Sequence, residues 1–293
     1  MNIKNNIIYI YNIYNMTFIY NIFISYLFIF SLYSSSATYS SLVSMNALNI
    51  SQASYCISNN IWNCATCQSD IQLLEMIEEG GVRVITTLNN KTNEFAIGFR
   101  GSSNVKNWID NIQFSQVNPY INFPDVAVDK GFYKAFGQIR ERLIQNINQI
   151  YKLNPEISFL ITGHSLGGAL ATLTVFELIY IYDMDPKIFS IITFGSPRVG
   201  NDIFKKHLMI HMAKSWRVTH YYDIVPHVPE EFMNYIHISQ EIWYNRENTN
   251  YTTCNDDIEE DDSCSNSCAP VKCTSIDDHM YYMNISMGKE GTC

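Results

Sequence analysis

The stretch "FLITGHSLGGALA", residues 159–171, decides the fold prediction. Its first four residues are typical of a buried strand, and residues 169–182 are typical of a helix. Between them, glycines flank a single serine, Ser165, in a G-x-S-x-G pattern. A sharp strand-to-helix turn of this kind strains the serine backbone, exposes its hydroxyl and needs small neighbours. The pattern therefore predicts a nucleophile elbow and not an ordinary glycine-rich turn.

Strands and helices alternate through the rest of the chain, which predicts one layered α/β domain. The expected helices cover residues 42–57, 105–112 and 131–151, and the last of these has one apolar face. The expected strands cover residues 81–88 and 94–100 and the stretches "IFSIITF", "SWRVTHYY" and "YIHISQEIWY". No linker indicates a second domain.

The net charge excludes two classes of partner. The 293 residues carry 19 Lys and Arg against 28 Asp and Glu, a formal net charge of −9. Nucleic acids and anionic membranes attract basic proteins, so neither is an expected partner. A chain of this length can bury a sizeable core within one domain.

The N-terminal segment predicts export. Residues 5–69 contain no charged side chain, and residues 16–33, "MTFIYNIFISYLFIFSLY", are almost continuously apolar. Ser35 and Ala37 follow as the small residues that a signal peptidase requires. We therefore expect residues 1–37 to be a cleaved secretory signal, starting at Met1 or Met16, and residues 38–293 to form the mature domain. An uncleaved signal anchor is the alternative, because 18 residues can just span a bilayer.

Eight cysteines agree with export, since an even number behind a signal segment indicates disulfides. They are Cys56, Cys64, Cys67, Cys254, Cys264, Cys268, Cys273 and Cys293. The "CATC" pair lacks partners at zinc spacing, and the acidic stretch 255–262 lacks the glycine and ligand spacing of a calcium loop. We therefore expect no metal and no cofactor. Export would also expose four glycosylation sequons, which begin at Asn49, Asn90, Asn250 and Asn284.

A serine nucleophile needs a base, and the base needs an acid that orients it. In hydrolases with this elbow the chain order is serine, acid, histidine. Asp223 is the favoured acid because a strand delivers it to a proline-stiffened loop, and Asp202 is the weaker candidate. The histidines that follow Asp223 are His227, His237 and His279. His279 is favoured because it lies in a loop, whereas His227 is very near Asp223 and His237 falls in an alternating strand.

The negatively charged intermediate of acyl transfer needs two preorganised hydrogen-bond donors. The backbone N–H of Leu166, directly after the serine, is one candidate. The second should come from the end of an earlier strand, where "FRGSS" places Gly101 and Ser102. The Ser102 hydroxyl could add a further donor, although a simple Gly-Ser turn is the alternative.

Five motifs in order give the chain a resemblance to a known family. They are "FRGSSNVKNWIDN", "TGHSLGGALA", "FGSPRVGN", "YYDIVPHVP" and "DDHMYYM". The chain resembles the fungal-type class 3 lipases, which include the Rhizomucor and Thermomyces lipases, from about residue 55 to residue 293. The resemblance implies an α/β-hydrolase fold with a central, mostly parallel sheet flanked by helices. It implies Ser165 as nucleophile, Asp223 as acid and His279 as base. Ser102 and Leu166 would form the oxyanion hole.

The resemblance also implies disulfides. The implied pairs are Cys56–Cys293, Cys64–Cys67 and Cys254–Cys264. Cys268 and Cys273 are then left over, and we expect them to pair with each other. One departure from the family is Asp129, in "DKGF", where a histidine is common. It bears on substrate preference and not on the triad.

The segment after Ser102 predicts a short helical lid. Its apolar residues fall at i, i+3, i+4 and i+7: Val105, Trp108, Ile109 and Ile112. Such a helix can close over an apolar cleft in water and turn outward at an oil surface. A helix packed permanently on the core is the alternative.

These features together predict a secreted serine hydrolase of carboxylic esters, above all a triacylglycerol lipase that acts through an acyl-enzyme. A soluble carboxylesterase of feruloyl type on the same fold is the first alternative. A non-catalytic binding protein on a hydrolase scaffold is the second. The expected partners are an ester substrate and, transiently, a lipid–water interface, with no protein partner required.

Overall fold

A computed structural model describes residues 37–111, 113–255, 260–269, 271–288 and 293. The expected signal segment, apart from Ala37, and the expected lid residue Ile112 lie outside these residues. Within the described ranges, no helix is long and apolar enough to cross a membrane.

An eight-stranded sheet organises the described part of the chain. Its strands are β1 Ile71–Glu79, β2 Val82–Asn89, β3 Glu94–Phe99, β6 Ser158–His164, β7 Phe189–Phe194, β8 Ser215–His220, β9 Gln240–Tyr244 and β10 Tyr251–Thr253. Two small two-stranded sheets are formed by β4 Gln116–Val117 with β5 Val128–Asp129 and by β11 Tyr281–Tyr282 with β12 Ile285–Ser286. The spatial order of the main sheet is β1-β2-β3-β6-β7-β8-β9-β10. Strands β3, β6, β7, β8 and β9 are parallel, whereas β1, β2 and β10 run antiparallel to their neighbours. The mostly parallel sheet confirms the predicted fold class.

Helices flank this sheet. Among the described residues, the α-helices are α1 Ser41–Cys56, α2 Val105–Asn111, α3 Lys130–Leu153, α4 Leu166–Tyr180, α5 Asp202–His211 and α6 Ile276–His279. Short 3₁₀ helices cover Pro186–Ile188, Val225–His227, Glu231–Met233 and Ser265–Cys268. The long helix predicted near residues 131–151 is α3, and the helix after the elbow is α4.

Alternation along β6 shows how both faces of the sheet become covered. Phe159 and Ile161 point into the core that includes residues of α3 and α4. Thr162 has the opposite orientation, and its hydroxyl donates to the Ala47 carbonyl of α1 at 3.3 Å. Because successive side chains of a strand face opposite sides, α1 lies on one face and α3 and α4 lie on the other.

The sequence patterns of α3 and α4 differ because their burial differs. The amphipathic helix α3 buries one stripe, which includes Phe132, Phe136 and Leu143, and leaves its other side exposed. In α4, residues 167–179 are all buried, which explains why the helix is apolar nearly all round. Strand β6 thus ends beside a helix that is fixed by packing on all sides.

The strand predicted around "YIHISQEIWY" is shorter than the alternation indicated. Strand β9 begins only at Gln240, because Ser239 adopts a left-handed backbone conformation with φ 70° that interrupts an extended strand. His237 therefore lies in the loop before the strand. The sequence patterns do not predict strand β1, because its apolar and polar residues do not alternate and its burial is mixed.

Four disulfides join the loops around the sheet. The bonded pairs are Cys56–Cys293, Cys64–Cys67, Cys254–Cys264 and Cys268–Cys273. They include the three pairs implied by the resemblance and the fourth inferred from the remaining cysteines. The Cys56–Cys293 bond ties the end of α1 to the last residue of the chain.

Candidate active site

The elbow places Ser165 at the carboxyl end of β6. Its backbone has φ 58° and ψ −132°, a conformation that side-chain-bearing residues rarely adopt. The Ser165 N–H donates to the Phe194 carbonyl of β7 at 2.9 Å, which anchors the turn to the sheet. Because α4 begins at Leu166, the backbone N–H groups of its first turn lie beside the serine.

Two glycines make this turn possible because no side chain fits at either position. A Cβ atom on Gly163 would lie 2.3 Å from the backbone carbonyl of Gly167. A Cβ atom on Gly167 would lie 2.3 Å from the Phe99 carbonyl oxygen of β3. The obstructing atoms belong to backbone in the sheet and the helix, which cannot rotate away. The G-x-S-x-G spacing is therefore a packing requirement of the elbow.

We expect Gly167→Ala to lower the free energy of unfolding by about 1–3 kcal/mol or more, because the new methyl group overpacks the elbow. Gly137→Ala is the matched control. Gly137 lies on the exposed side of α3 with open space around it, so alanine there should stabilise by about 0.5–1 kcal/mol. Urea unfolding followed by tryptophan fluorescence measures both. Equal stability changes in the two variants would contradict the packing argument.

Asp223 and His279 form a buried pair near the carboxyl ends of the parallel strands, where Ser165 also lies. The Nδ1–H of His279 donates to Asp223 Oδ2 at 2.9 Å, and the two side chains are 0% and 1% exposed. Asp223 follows β8, and His279 ends α6, so two separate elements supply the pair. With Nδ1 protonated toward the carboxylate, the neutral imidazole carries its lone pair on Nε2.

The Asp223 carboxylate is held by further donors. The Tyr282 hydroxyl donates to Oδ2, and the Val225 N–H donates to Oδ1 at 2.8 Å. Burial alone would raise the pKa of Asp223, but His279 and these hydrogen bonds outweigh it and lower the pKa. Asp223 is thus held as the charged partner that orients an imidazole.

Gly195 leaves the space that this cluster occupies. Its φ of 52° is left-handed, and a Cβ atom there would lie 2.8 Å from Asp223 Oδ2 and 2.9 Å from His279 Nδ1. A side chain at the end of β7 would therefore separate the acid from the base.

Ser165 and His279 are both closed off from solvent in this state. Each is 0% exposed. Within the described residues, neither Ser165 Oγ nor His279 Nε2 has a hydrogen-bond partner. The ring of His279 lies over that of His164, the residue before the serine, with centroids 4.4 Å apart. Both unpaired polar atoms therefore belong to residues at the elbow, since His279 packs on the residue that precedes Ser165, and a nucleophile and its base would be needed there.

The predicted oxyanion residues also lie at the elbow. The end of β3 touches the serine, since a Cβ atom on Gly101 would be 2.9 Å from Ser165 Cβ. The Ser102 hydroxyl here donates to the Asn104 carbonyl at 3.3 Å. A cavity of about 450 Å³ adjoins this loop, and its lining includes Tyr55, Ser102, Ile276 and Met280.

The predicted lid forms a helix, α2, which presents its apolar face inward. Val105 is buried, and Trp108 packs on the core with its ring stacked on Phe132 at 6.3 Å between centroids. Ile109 is half-buried. The exposed residues of the helix are Lys106, Asn107, Asp110 and Asn111. Polar side chains therefore face water while the apolar face is covered.

The alternative acid and bases have other partners. Asp202 pairs with Lys206 on the surface of α5. His237 donates from Nε2 to the Pro226 carbonyl at 2.6 Å, and His227 contacts Cys268 Sγ. Within the described residues, His279 is the histidine that hydrogen-bonds to Asp223.

Some residues of the site were not predicted from sequence. Tyr282 follows His279 closely in the motif "DDHMYYM", but no pattern indicates that its hydroxyl reaches Asp223. Tyr55 and His164 also lie in the site, where their side chains hydrogen-bond to each other at 2.8 Å. Asp129, the departure from the family pattern, instead caps α3 by accepting from the Gly131 and Phe132 N–H groups.

Comparison with known proteins gives the family. The family model for lipase (class 3) matches residues 96–233. The chain is 32% identical over 254 residues to a lipase of Rhizomucor miehei, and the aligned region covers 82% of this chain and 67% of that lipase. It is 31% identical over 262 residues to a lipase of Rhizopus niveus, and the aligned region covers 83% of this chain and 63% of that lipase. The chain belongs to the class 3 lipase family.

Solved structures agree with this assignment. One is described as a triacylglycerol lipase whose catalytic centre is formed by a serine protease triad. It matches this class 3 lipase with a TM-score of 0.78 at 29% identity, covering 86% of this chain and 97% of that chain. This class 3 lipase thus spans about two thirds of the length of the two curated relatives but nearly all of that solved chain. The matched family segment contains Ser102, Ser165 and Asp223, whereas His279 follows it.

Proposed function

We propose that this protein is a serine lipase that hydrolyses the ester bonds of acylglycerols through an acyl-enzyme. The observation that carries the proposal is the strained Ser165 at the elbow beside the buried Asp223–His279 pair. Strain at a nucleophile and a carboxylate that fixes the tautomer of its base are features of acyl-transfer sites. Family membership supports the same chemistry.

In the first step, Ser165 Oγ attacks the ester carbonyl carbon while His279 Nε2 takes the hydroxyl proton. Asp223 stabilises the imidazolium through the Nδ1–H hydrogen bond. The Leu166 N–H and the donors of Ser102 bind the developing oxyanion, for which the Ser102 side chain would exchange its Asn104 partner for the substrate. The alcohol then leaves with the proton from His279.

In the second step, a water molecule gives a proton to His279 Nε2 and attacks the acyl-enzyme. The carboxylic acid is released, and Ser165 regains its proton. These steps are proton transfers and acyl transfers only, so the side chains named here are sufficient and no cofactor is required.

The two rival functions differ in measurable ways. A non-catalytic binding protein would not hydrolyse a short p-nitrophenyl ester. A soluble feruloyl-type esterase would hydrolyse dissolved esters with no preference for an emulsified triglyceride. We expect turnover of both substrates, with a sharp rise on a medium-chain triglyceride above its solubility limit. A smooth saturating curve through that limit would favour the soluble esterase.

We propose that α2 is the lid of this site. The triad candidates are buried, so a substrate can reach Ser165 only after a movement of the segments that cover it. Helix α2 follows the oxyanion candidate Ser102 and turns its apolar face inward, which makes it the segment proposed to move. Opening exposes an apolar face to water, which is unfavourable. At an oil surface the same face becomes buried, at roughly 25 cal/mol per Å² of apolar area.

Trp108→Ser should therefore weaken binding to the oil surface. Loss of one large apolar side chain at the interface corresponds to about 2 kcal/mol, or roughly 30-fold in the adsorption constant. Emulsion activity should fall accordingly, while turnover of a dissolved short ester should change by less than about threefold. Ile210→Ser, at a residue 70% exposed on α5, is the control for loss of a surface apolar group. Equal losses on both substrates would contradict the lid.

We propose that the protein is secreted, with residues 1–37 as its signal. The four disulfides support an oxidising compartment. Of the four sequons, those at Asn90, Asn250 and Asn284 have exposed asparagines. The sequon at Asn49 lies within α1, and its Ser51 is fully buried. We therefore expect glycans at the first three and none at Asn49.

A further inference from the structure

We infer that His164 is a positioning residue for the base, and that Tyr55 fixes the tautomer in which His164 does so. His164 is the first of the two variable residues of the G-x-S-x-G pattern, and nothing in the proposed mechanism uses its side chain. The inference rests on the proposed role of His279 and extends it to the groups that hold the base in place.

The first step of the argument is the contact between the two histidines. His164 Nε2 lies 2.8 Å from the His279 backbone carbonyl oxygen. A carbonyl only accepts, so Nε2 of His164 must carry the proton and donate. The two rings also lie against each other, with centroids 4.4 Å apart and an interplanar angle of 30°. His164 thus fixes both the backbone and the ring plane of the proposed base.

The second step assigns the other nitrogen of His164. Burial, followed by the neighbouring His279, lowers the pKa of His164 to about 3, so the ring is neutral at working pH. With Nε2 protonated, Nδ1 must accept a hydrogen bond. The partner is the Tyr55 hydroxyl at 2.8 Å, which therefore donates.

The third step links the same hydroxyl to the other side of the site. The Gly101 N–H, beside Ser102, donates to the Tyr55 oxygen at 3.0 Å. The three hydrogen bonds then all run in one direction, with Gly101 donating to Tyr55, Tyr55 to His164 and His164 to His279. A Cβ atom on Gly101 would lie 2.2 Å from the Tyr55 oxygen, so glycine is needed for this contact. The Tyr55 hydroxyl therefore connects the loop after β3, which carries the proposed oxyanion residue Ser102, to the proposed base His279.

A second imidazole holds the neighbouring peptide. His220 Nδ1 lies 2.9 Å from the Asp278 carbonyl, directly before His279, and the Asn248 amide donates to its Nε2 at 2.8 Å. The backbone carbonyls of Asp278 and His279 are thus each held by a buried histidine at the end of a strand. The loop that carries His279 is fixed from two strands, β6 and β8.

The hydrogen bonds that run from Gly101 through Tyr55 and His164 to His279 are called the relay below, and they predict a specific ranking of His164 variants. The amide nitrogen of glutamine takes the place of Nε2, whereas that of asparagine takes the place of Nδ1. His164→Gln should therefore keep the donor to His279, and His164→Asn should lose it. We expect kcat on a soluble p-nitrophenyl butyrate to be at least about tenfold higher in His164→Gln than in His164→Asn, by analogy with the groups that orient metal-binding histidines, whose loss typically costs about 10–100-fold. A role in packing alone gives equal losses.

Tyr55→Phe tests the relay by removing one oxygen atom. We expect kcat to fall about 10–100-fold with KM changed less than about twofold, because the groups that hold the base are disturbed and the ring is kept. Tyr244→Phe is the matched control, since it also loses a buried hydrogen bond, to the Tyr39 hydroxyl at 3.2 Å, outside the relay. Its kcat should stay at the wild-type value.

Thermal unfolding of every variant establishes which are folded, and Ser165→Ala is assayed beside them. A folded Tyr55→Phe with wild-type kcat, or a His164→Gln no more active than His164→Asn, would overturn the positioning role while wild type remained active. Substantial activity in Ser165→Ala would instead refute the proposed function itself. The two failures are therefore distinguishable in one set of assays.

Discussion

Replacing Ser165 by alanine should remove nearly all ester hydrolysis while the fold persists. The hydroxyl oxygen is the atom proposed to attack the substrate, and within the described residues it has no hydrogen-bond partner whose loss would destabilise the protein. Loss of a triad nucleophile typically lowers kcat by about 10⁴–10⁶-fold. Initial rates on a dissolved p-nitrophenyl ester, with circular dichroism as the check of folding, measure this effect.

Ser190→Ala is the matched control for this variant. Ser190 lies near the amino end of the central strand β7, opposite the strand ends that carry the site, and its hydroxyl donates to the Phe159 carbonyl at 3.3 Å. Its replacement should leave the rate within about twofold of wild type, as is usual for a residue outside the site. His279→Ala should approach the loss seen in Ser165→Ala, because residues that act as a unit do not contribute additively. Residual turnover of a tenth or more in folded Ser165→Ala would rule out the assignment.

Asp223→Asn should lower kcat by about 10⁴-fold, because an amide can donate to Nδ1 and stabilise the wrong tautomer of the base. In that tautomer Nε2 carries a proton and cannot take one from Ser165. The amide also lacks the negative charge that stabilises the imidazolium. Comparison of kcat with KM separates a loss in the chemical step from a loss of substrate binding, and we expect both the wrong tautomer and the missing charge to lower kcat.

Asp129→Asn is a close control, because the two aspartates have similar surroundings. Asp129 is also buried, accepts from the Tyr235 hydroxyl at 2.9 Å and accepts from backbone N–H groups, but among the described residues no histidine hydrogen-bonds to it. Burial raises the pKa of Asp129, and asparagine is a good helix N-cap, so the substitution there should be mild. A similar loss of activity in both variants would mean that Asp223 acts through stability and not through His279.

The sequence predicts the parts of this protein that depend on local rules. A strand, a glycine-flanked serine and an apolar helix are enough to predict the elbow, because the turn tolerates no side chain at Gly163 or Gly167. The position of Asp223 after a strand predicts it as the acid, since carboxyl ends of parallel strands meet at one edge. Whether these residues perform catalysis remains a prediction for the variants above.

Contacts between distant segments could not be predicted in the same way. Tyr55 and His164 are 109 positions apart, and no spacing rule indicates that a tyrosine at the end of α1 reaches the elbow. Tyr282 and Asp223 are 59 positions apart. The alternation around His237 predicts a strand, whereas the backbone conformation of Ser239 prevents one. Such contacts depend on how the helices pack on the sheet, which local sequence patterns and spacings do not reveal.

Covalent labelling of the nucleophile tests the central claim most directly. A p-nitrophenyl alkylphosphonate should transfer its phosphonyl group to Ser165 Oγ and release p-nitrophenolate, in the presence of detergent micelles that favour an open lid. Peptide mass mapping should find one phosphonyl group per protein, on the peptide that contains Ser165, with activity lost in proportion to labelling. Complete inactivation with the label on another residue, or continued ester hydrolysis without any label, would contradict Ser165 as the nucleophile.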